Sequence, residues 1–527
     1  MDIVFRGAKV VDGTGAEGRI ADVGIDNGKI AEIGSGVTGG RVIDATGLVL
    51  CPGFIDMHSH SDLRVLAEPD HLAKVSQGVT TEVLGQDGLS YAPVNDEVLA
   101  TMRAQLAGWN DDPAGFDWNW RSVGEYLDRL DQGIAVNAAY LVPQGTVRMM
   151  HVGWDDRPAT ESEMNAMKST VDTSLAEGAF GLSSGLTYTP GMYADTAELV
   201  ELCRVVGARG GYYSPHHRSY GAGALEAYAE MVDVSRRADC PLHLAHATMN
   251  FPVNEGKAGD LLTLLDAAID DGADITLDTY PYLPGATYLS ALLPSWVSAG
   301  GPDAAVARLS DVDTRERIRA ELEEIGSDGN HGVVMDWRTI EINGVRHERN
   351  AALVGHTVAE SAAARGVQPA ELYFDVLVDE RLGTSCLMHV GHEDNVRAIM
   401  RHRTHTGGSD GLLVGDRPHP RAWGTFPRYL GRYVRELGVL GMEECVAHLT
   451  GRPARRLGLT DRGLVREGFA ADLVLFDPET VIDTATFDQP RQRALGLPHV
   501  LVNGVPVIDD DRPTGAAPGG SLRRGNR

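Results

Sequence analysis

Cysteine is scarce in this chain. Among 527 residues there are five, Cys51, Cys203, Cys240, Cys386 and Cys445, odd in number, scattered and never in CxxC spacing. That excludes a disulfide framework and predicts thiols that stay reduced and mostly buried. Positive charge is short too: 47 Lys and Arg stand against 74 Asp and Glu, for a net charge of −27. A phosphate-backbone binder needs a basic footprint, so nucleic acid is excluded as a partner. An anionic small molecule would need arginines of its own in the site. No apolar run approaches the roughly 20 residues of a bilayer span, and no basic-then-apolar pattern opens the chain. A cytoplasmic protein with no membrane association is expected. What remains is ordinary globular composition, 43% hydrophobic and 23% charged, in a chain too long for one common core.

Residues 1–50 alternate apolar and polar positions between glycine-rich turns, with strand-like Ile3-Val4-Phe5, Lys9-Val10-Val11, Val23-Gly24-Ile25 and Ile30-Ala31-Glu32-Ile33. Residues 456–527 contain runs of the same texture, Leu473-Val474-Leu475-Phe476 and Val500-Leu501-Val502, before an irregular tail from Pro513. The two ends are expected to form one small β-sandwich, since separate caps of such length are hard to stabilise.

Between them, over residues 51–455, strand-like and helix-like segments alternate, the pattern of a parallel α/β domain. Eight strands are predicted: Phe54–His58, Thr81–Leu84, Ala135–Leu141, Ala179–Ser183, Gly211–Ser214, Leu242–Ala245, Ile275–Thr279 and Thr404–Gly407. Helical patterns such as Thr196–Ala208, Ala222–Ala238 and Leu261–Asp271 separate them. An open doubly wound sheet is the competing fold. No GxGxxG opens a helix after the first strand, so a (β/α)8 TIM-like barrel is favoured, with its site at the C-terminal strand ends. The stretch before the last strand is too long for a plain connection. Its first part, about 284–350, is read as a lid over the barrel mouth.

Polar residues cluster at those strand ends. His58 and His60 follow the first apolar run, spaced so that a continuing strand would project both to one face. Asp87 follows strand two, His216 strand five, His246 strand six and Asp410 strand eight. A barrel brings these ends to one mouth, where imidazoles and carboxylates can share a cation. Buried together without one, they would leave polar groups to be paired otherwise.

These positions come with further motifs: Gly78-Val79-Thr80-Thr81, Gly181-Leu182-Ser183-Ser184-Gly185-Leu186-Thr187-Tyr188, Asp278-Thr279-Tyr280-Pro281-Tyr282, and His419-Pro420-Arg421 with Gly424-Thr425-Phe426-Pro427-Arg428. As an ensemble covering nearly the whole chain, they resemble the amidohydrolase superfamily, and within it the N-acyl-D-amino-acid deacylases (D-aminoacylases). The resemblance implies a β-sandwich plus a metal-bearing barrel and one or two Zn2+ ions. His216 and His246 would hold the tighter zinc, and His58, His60 and Asp410 would surround a second position. Asp410 would also be the general acid/base. Tyr188, Arg218, Tyr280 and Tyr282 would line the substrate site, with Tyr280 first choice to steady the carbonyl oxygen. His419, Arg421 and Arg428 follow the strand-eight loop, where an anionic group could be met.

Two departures stand out. Asp87 occupies the place of a family cysteine; a carboxylate is a harder ligand and can bridge two cations, which favours two metals or a metal other than zinc. Thr248 stands where the family commonly has a lysine for the substrate carboxylate. The expected activity is metal-dependent hydrolysis of an N-acyl-D-amino acid or related amide, a non-peptide C–N bond. The alternatives are a cyclic amide, a D-dipeptide-like or pathway-specific substrate, or a non-hydrolytic reaction on the same fold. The partner is a small molecule, and homo-oligomerisation stays open.

Overall fold

The computed structural model describes residues 1–525. Both chain ends build one nine-stranded sheet. Its N-terminal part holds Ile3–Val10, Arg19–Asp26, Lys29–Gly34, Arg41–Asp44 and Val49–Pro52; its C-terminal part holds Leu473–Phe476, His499–Val502, Val505–Asp509 and Arg512–Pro513. The halves join where Val49–Pro52 runs antiparallel to Leu473–Phe476. The first strand is irregular between Phe5 and Ala8, where Gly7 takes φ +70°. On one side of that kink the strand pairs with Arg41–Asp44, and on the other with Val49–Pro52. Phe5, Val23, Ile25, Leu50, Leu473 and Leu501 share one buried core, so neither end folds around a core of its own.

Eight parallel strands follow in sequential order: Phe54–Asp56, Val79–Leu84, Asn137–Pro143, Gly181–Gly185, Tyr212–His216, Leu242–Leu244, Ile275–Thr279 and His405–Gly407. The Met57 N–H donates to Gly407 O (3.2 Å), the Asp410 N–H donates to His58 O (2.8 Å), and Ser59 bridges Gly411 in parallel. These contacts bring the first strand to the eighth and close the barrel. Nearly every strand residue is buried, as expected of a parallel sheet covered on both faces. Gly53 leads into strand one because a Cβ there would lie 2.1 Å from Thr80 Oγ1. The helices outside carry local start signals: Asp195 caps Thr196–Ala208 by accepting from the Glu198 N–H. The first strand is shorter than its apolar run suggests. Ladder pairing ends at Asp56, and His58 and His60 lie in the turn beyond.

The insertion before the last strand is a folded unit. Gly285–Tyr288, Ser385–Met388, Ile340–Gly344 and His356–Thr357 form a four-stranded antiparallel sheet. Helices Pro302–Ser310 and Pro369–Asp379 pack with it around Leu289, Val297, Leu322, Tyr373 and Leu377, a core separate from that of the barrel. At the opposite end, the tail crosses the barrel floor. Leu522 packs with the cluster of Phe180, Tyr212 and Leu457, Ala138 exchanges backbone hydrogen bonds with Gly520 and Leu522, and Arg523 pairs with Asp128 and Asp131.

Candidate metal centre and cleft

The His58–His60 turn rests on buried charge. Glu82, on strand two, accepts hydrogen bonds from Ser59 Oγ (2.8 Å) and Ser61 Oγ (3.0 Å), and its other oxygen meets His71 Nε2 at 2.9 Å. Burial pushes this carboxyl up, but His71, Lys74 and Ser59 outweigh it and bring it down to about 2. Lys74 Nζ reaches Asp56 Oδ2 (2.6 Å) and Ser409 Oγ (2.9 Å), and Ser409 N–H donates to Asp56 Oδ1 (2.8 Å). One polar network thus locks the barrel seam directly beside His58 and Asp410.

Above it the strand ends converge. His60 Nε2 lies 3.3 Å from His58 Nε2 and 3.0 Å from Asp410 Oδ1. His216 Nδ1 lies 3.0 Å from His246 Nε2. Asp87 stands between the two sets, 3.4 Å from His58, 3.6 Å from His60, 3.3 Å from His216 and 3.5 Å from His246. The side chains fall into two groups able to hold an ion, His58/His60/Asp87/Asp410 and Asp87/His216/His246, each with its donor atoms within 4.8 Å of one another. Asp87, His246 and Asp410 all take left-handed backbone conformations, at φ 55°, 31° and 50°. Such strain persists where the fold overdetermines it, commonly at functional sites. Gly408 is required for close approach: a Cβ there would sit 2.5 Å from Asp278 Oδ1 and 2.9 Å from His58 Cβ.

The charges are complementary. Burial raises the carboxyls of Asp87 and Asp410, yet both stay below the usual carboxylate range. For Asp87 the histidines His216, His58 and His246 outweigh burial; for Asp410 the Arg421 guanidinium, with Nη2 2.9 Å from Oδ2, leads. Asp278 receives His243 Nε2 (3.0 Å) and the His246 N–H (3.0 Å), and lies 3.7 Å from His58 Nδ1. Asp87 Oδ1 is buried without a hydrogen-bond partner, an orphaned lone pair at the meeting point of four imidazoles. Imidazole nitrogens and carboxylate oxygens gathered this closely match the donor set of a divalent transition ion.

The cluster opens into a cleft of about 680 Å3 between barrel and lid. His60, Asp87, His216, His246 and Asp410 floor it, with Tyr188 and Tyr280 on its walls. The Tyr188 hydroxyl pairs with the lid's Thr287 Oγ1 at 3.0 Å. Burial raises the Tyr280 phenol to about 12, so it stays a proton donor. Three expected lining residues are elsewhere. Arg218 Nε is taken by Glu230 (2.9 Å), and its other nitrogens by the carbonyls of Met192 and Ala194. Tyr282 turns to Asp483 (3.4 Å) under Arg428, in a separate surface pocket. His419 Nε2 bonds to Pro284 O (3.0 Å), and its Nδ1 accepts from the Arg421 N–H (3.0 Å). Each is held by a partner from distant sequence that local pattern does not reveal.

A family model described as the amidohydrolase family matches residues 41–508. The chain belongs to the amidohydrolase family. Over 526 residues this amidohydrolase is 36% identical to D-aminoacylase from Alcaligenes xylosoxydans xylosoxydans, covering 99% of this chain and 98% of that one. It is 35% identical over 528 residues to N-acyl-D-glutamate deacylase from the same organism, covering 99% and 97%. Its structure superposes with a TM-score of 0.85 and 33% identity, over 99% of both chains, on N-acyl-D-glutamate deacylase from Bordetella bronchiseptica complexed with zinc and a phosphonate inhibitor that mimics the tetrahedral intermediate.

Several residues of the amidohydrolase's cleft escape a reading of strand ends. Trp109 packs its indole 4.7 Å from His60 and 5.5 Å from Tyr188. Tyr220 bonds to His246 Nδ1 (3.0 Å) and Thr187 to His216 Nε2 (2.7 Å), orienting both rings. His331 comes from the lid. Only Thr187, beside Tyr188 in the run from Gly181 to Tyr188, carries a sequence signal.

Proposed function

We propose that this amidohydrolase is a metal-dependent deacylase that cleaves the amide bond of N-acyl-D-amino acids or closely related N-acyl compounds. The observation that carries the reading is Asp87 between two histidine sets with Asp410 alongside, at the floor of a cleft roofed by a lid. The relatives named above support the substrate class, and their identities of 36% and 35% are too close to choose a side chain.

His58, His60, Asp87, His216, His246 and Asp410 would hold one or two divalent cations, zinc being the ion of the solved relative, with Asp87 shared between the positions. Such an ion supplies Lewis acidity and lowers the pKa of its water from about 15.7 towards 7. Asp410 takes the proton from the attacking water as the new C–O bond forms. It returns that proton to the leaving nitrogen as the C–N bond breaks. Arg421 holds one Asp410 oxygen and leaves the other towards His60 and the cleft. Tyr280 donates to the carbonyl oxygen as charge gathers there; one such donor is worth roughly 3–4 kcal/mol. Thr187 and Tyr220 fix the rings of His216 and His246.

Metal analysis beside hydrolysis of N-acyl-D- and L-amino acids and cyclic amides tests this. Stoichiometric divalent metal with turnover confined to N-acyl-D compounds is expected. Turnover confined to cyclic amides, or a metal-free active protein, would overturn it.

A further inference from the structure

A second cavity, of about 1390 Å3, lies beside the metal cleft. Helix Asp96–Gln105, the turn Gly191–Tyr193 and the lid wall it. Ala104, Trp154, Met192, Tyr288, Leu293 and Val306 give it an apolar lining. Its charged residues stand at the exposed rim. Arg381 and Asp303 pair there at 2.7 Å, and Arg346 donates through Nη2 to Ala104 O at 2.9 Å. Thr187 and Ala291 line both cavities, so the two spaces meet at small side chains. Thr187 Oγ1 lies 2.7 Å from His216 Nε2, which puts this junction beside the metal cluster.

The cluster gives a substrate its direction. Asp410 belongs to one ion-holding group and His216 to the other. The leaving nitrogen takes its proton from Asp410, so the amine half lies on the Asp410 side. That side is polar: Arg421, with its guanidinium 4.5 Å over the Tyr280 ring, keeps Nε and Nη1 buried without hydrogen-bond partners. The bond that breaks joins this nitrogen to the acyl carbon. The acyl substituent therefore points away from Asp410, towards Thr187 and the junction. An acetyl group would stop there and leave the apolar walls beyond in water. A straight alkyl chain passes between Thr187 and Ala291 and removes those walls from water as it goes. We propose that the second cavity receives the acyl chain, and that the preferred substrates are N-acyl-D-amino acids carrying a medium-chain fatty acyl group such as octanoyl. The inference rests on the deacylase reading and narrows its acyl half.

The test measures kcat/KM of the metal-loaded enzyme for N-acetyl-, N-butanoyl-, N-hexanoyl- and N-octanoyl-D-leucine. A rise of about twofold per methylene is expected, below the full-burial value because the cavity is open to solvent on one side. Octanoyl should then exceed acetyl roughly fiftyfold. Ala104→Trp fills the cavity from the helix side and Val306→Trp from the lid side. Each should take away about tenfold of the octanoyl gain and leave the acetyl value in place, which also reports that the variant is folded. An octanoyl value at or below the acetyl value, or a gain that both variants leave intact, overturns the proposal and leaves the deacylase reading standing. Cleavage of no member of the series removes both.

Discussion

Asp87 is the one side chain shared by both ion-holding groups, and the two carboxylates of the cluster separate by role. Asp87→Ala is expected to lose bound metal and activity together. Asp410→Asn should keep metal while turnover falls by about 10²–10⁴, the usual share of general acid–base catalysis. Metal content by mass spectrometry beside kcat checks the pair. Glu82 supports the turn from below, and its depressed carboxyl gives a pH signature. A group favoured in its ionised form by folding contributes its stabilisation in full above its ordinary 4.5, and loses it as pH falls towards about 2. Of the order of 3 kcal/mol is at stake. Urea titrations at pH 6 and pH 3 should show this loss, and Glu82→Gln should flatten it. The six clustered side chains were legible because each follows an apolar run by one short step, a pattern local to the chain. Trp109, Tyr220 and His331 were not, because their loops have no period and reach the cleft only through tertiary packing. Arg218, Tyr282 and His419 show the converse: residue type suits a substrate contact, but Glu230, Asp483 and the Pro284 carbonyl claim them.

At the level of elements, the barrel was readable because buried parallel strands are short apolar runs bounded by polar turns. Each observed strand overlaps its expected run, with ends shifted where pairing rather than hydropathy decides. Ser59 is drawn towards Glu82, so strand one stops at Asp56. The insertion was harder. Its sheet joins Gly285–Tyr288 to Ser385–Met388, a pairing between segments far apart in sequence. Both ends of this unit, through Thr287 and Met388, reach the cleft, so its seating on the barrel is expected to affect substrate binding. Tyr188→Phe removes the 3.0 Å hydrogen bond to Thr287, worth about 1 kcal/mol. KM should rise roughly fivefold with kcat nearly unchanged, read by steady-state kinetics.

For the whole molecule, the expectation that both ends form one unit is met by a single sheet with a common core. The tail beyond it is irregular, as its composition suggested, yet it lies bound across the barrel floor, because Leu522 and Arg523 find partners there. Removing residues 516–527 should lower the melting temperature by a few degrees through lost burial and backbone bonds, with metal content retained; differential scanning calorimetry on the truncated chain measures it.

The antiparallel joint between Val49–Pro52 and Leu473–Phe476 also constrains how the protein comes into being. A nascent chain leaving the ribosome carries its first strands with an unsatisfied edge through most of translation, a state open to wrong association. A chain that stops ahead of Leu473 would leave the Val49–Pro52 edge without its antiparallel partner. The N-terminal sheet is thus completed only by strands that emerge last.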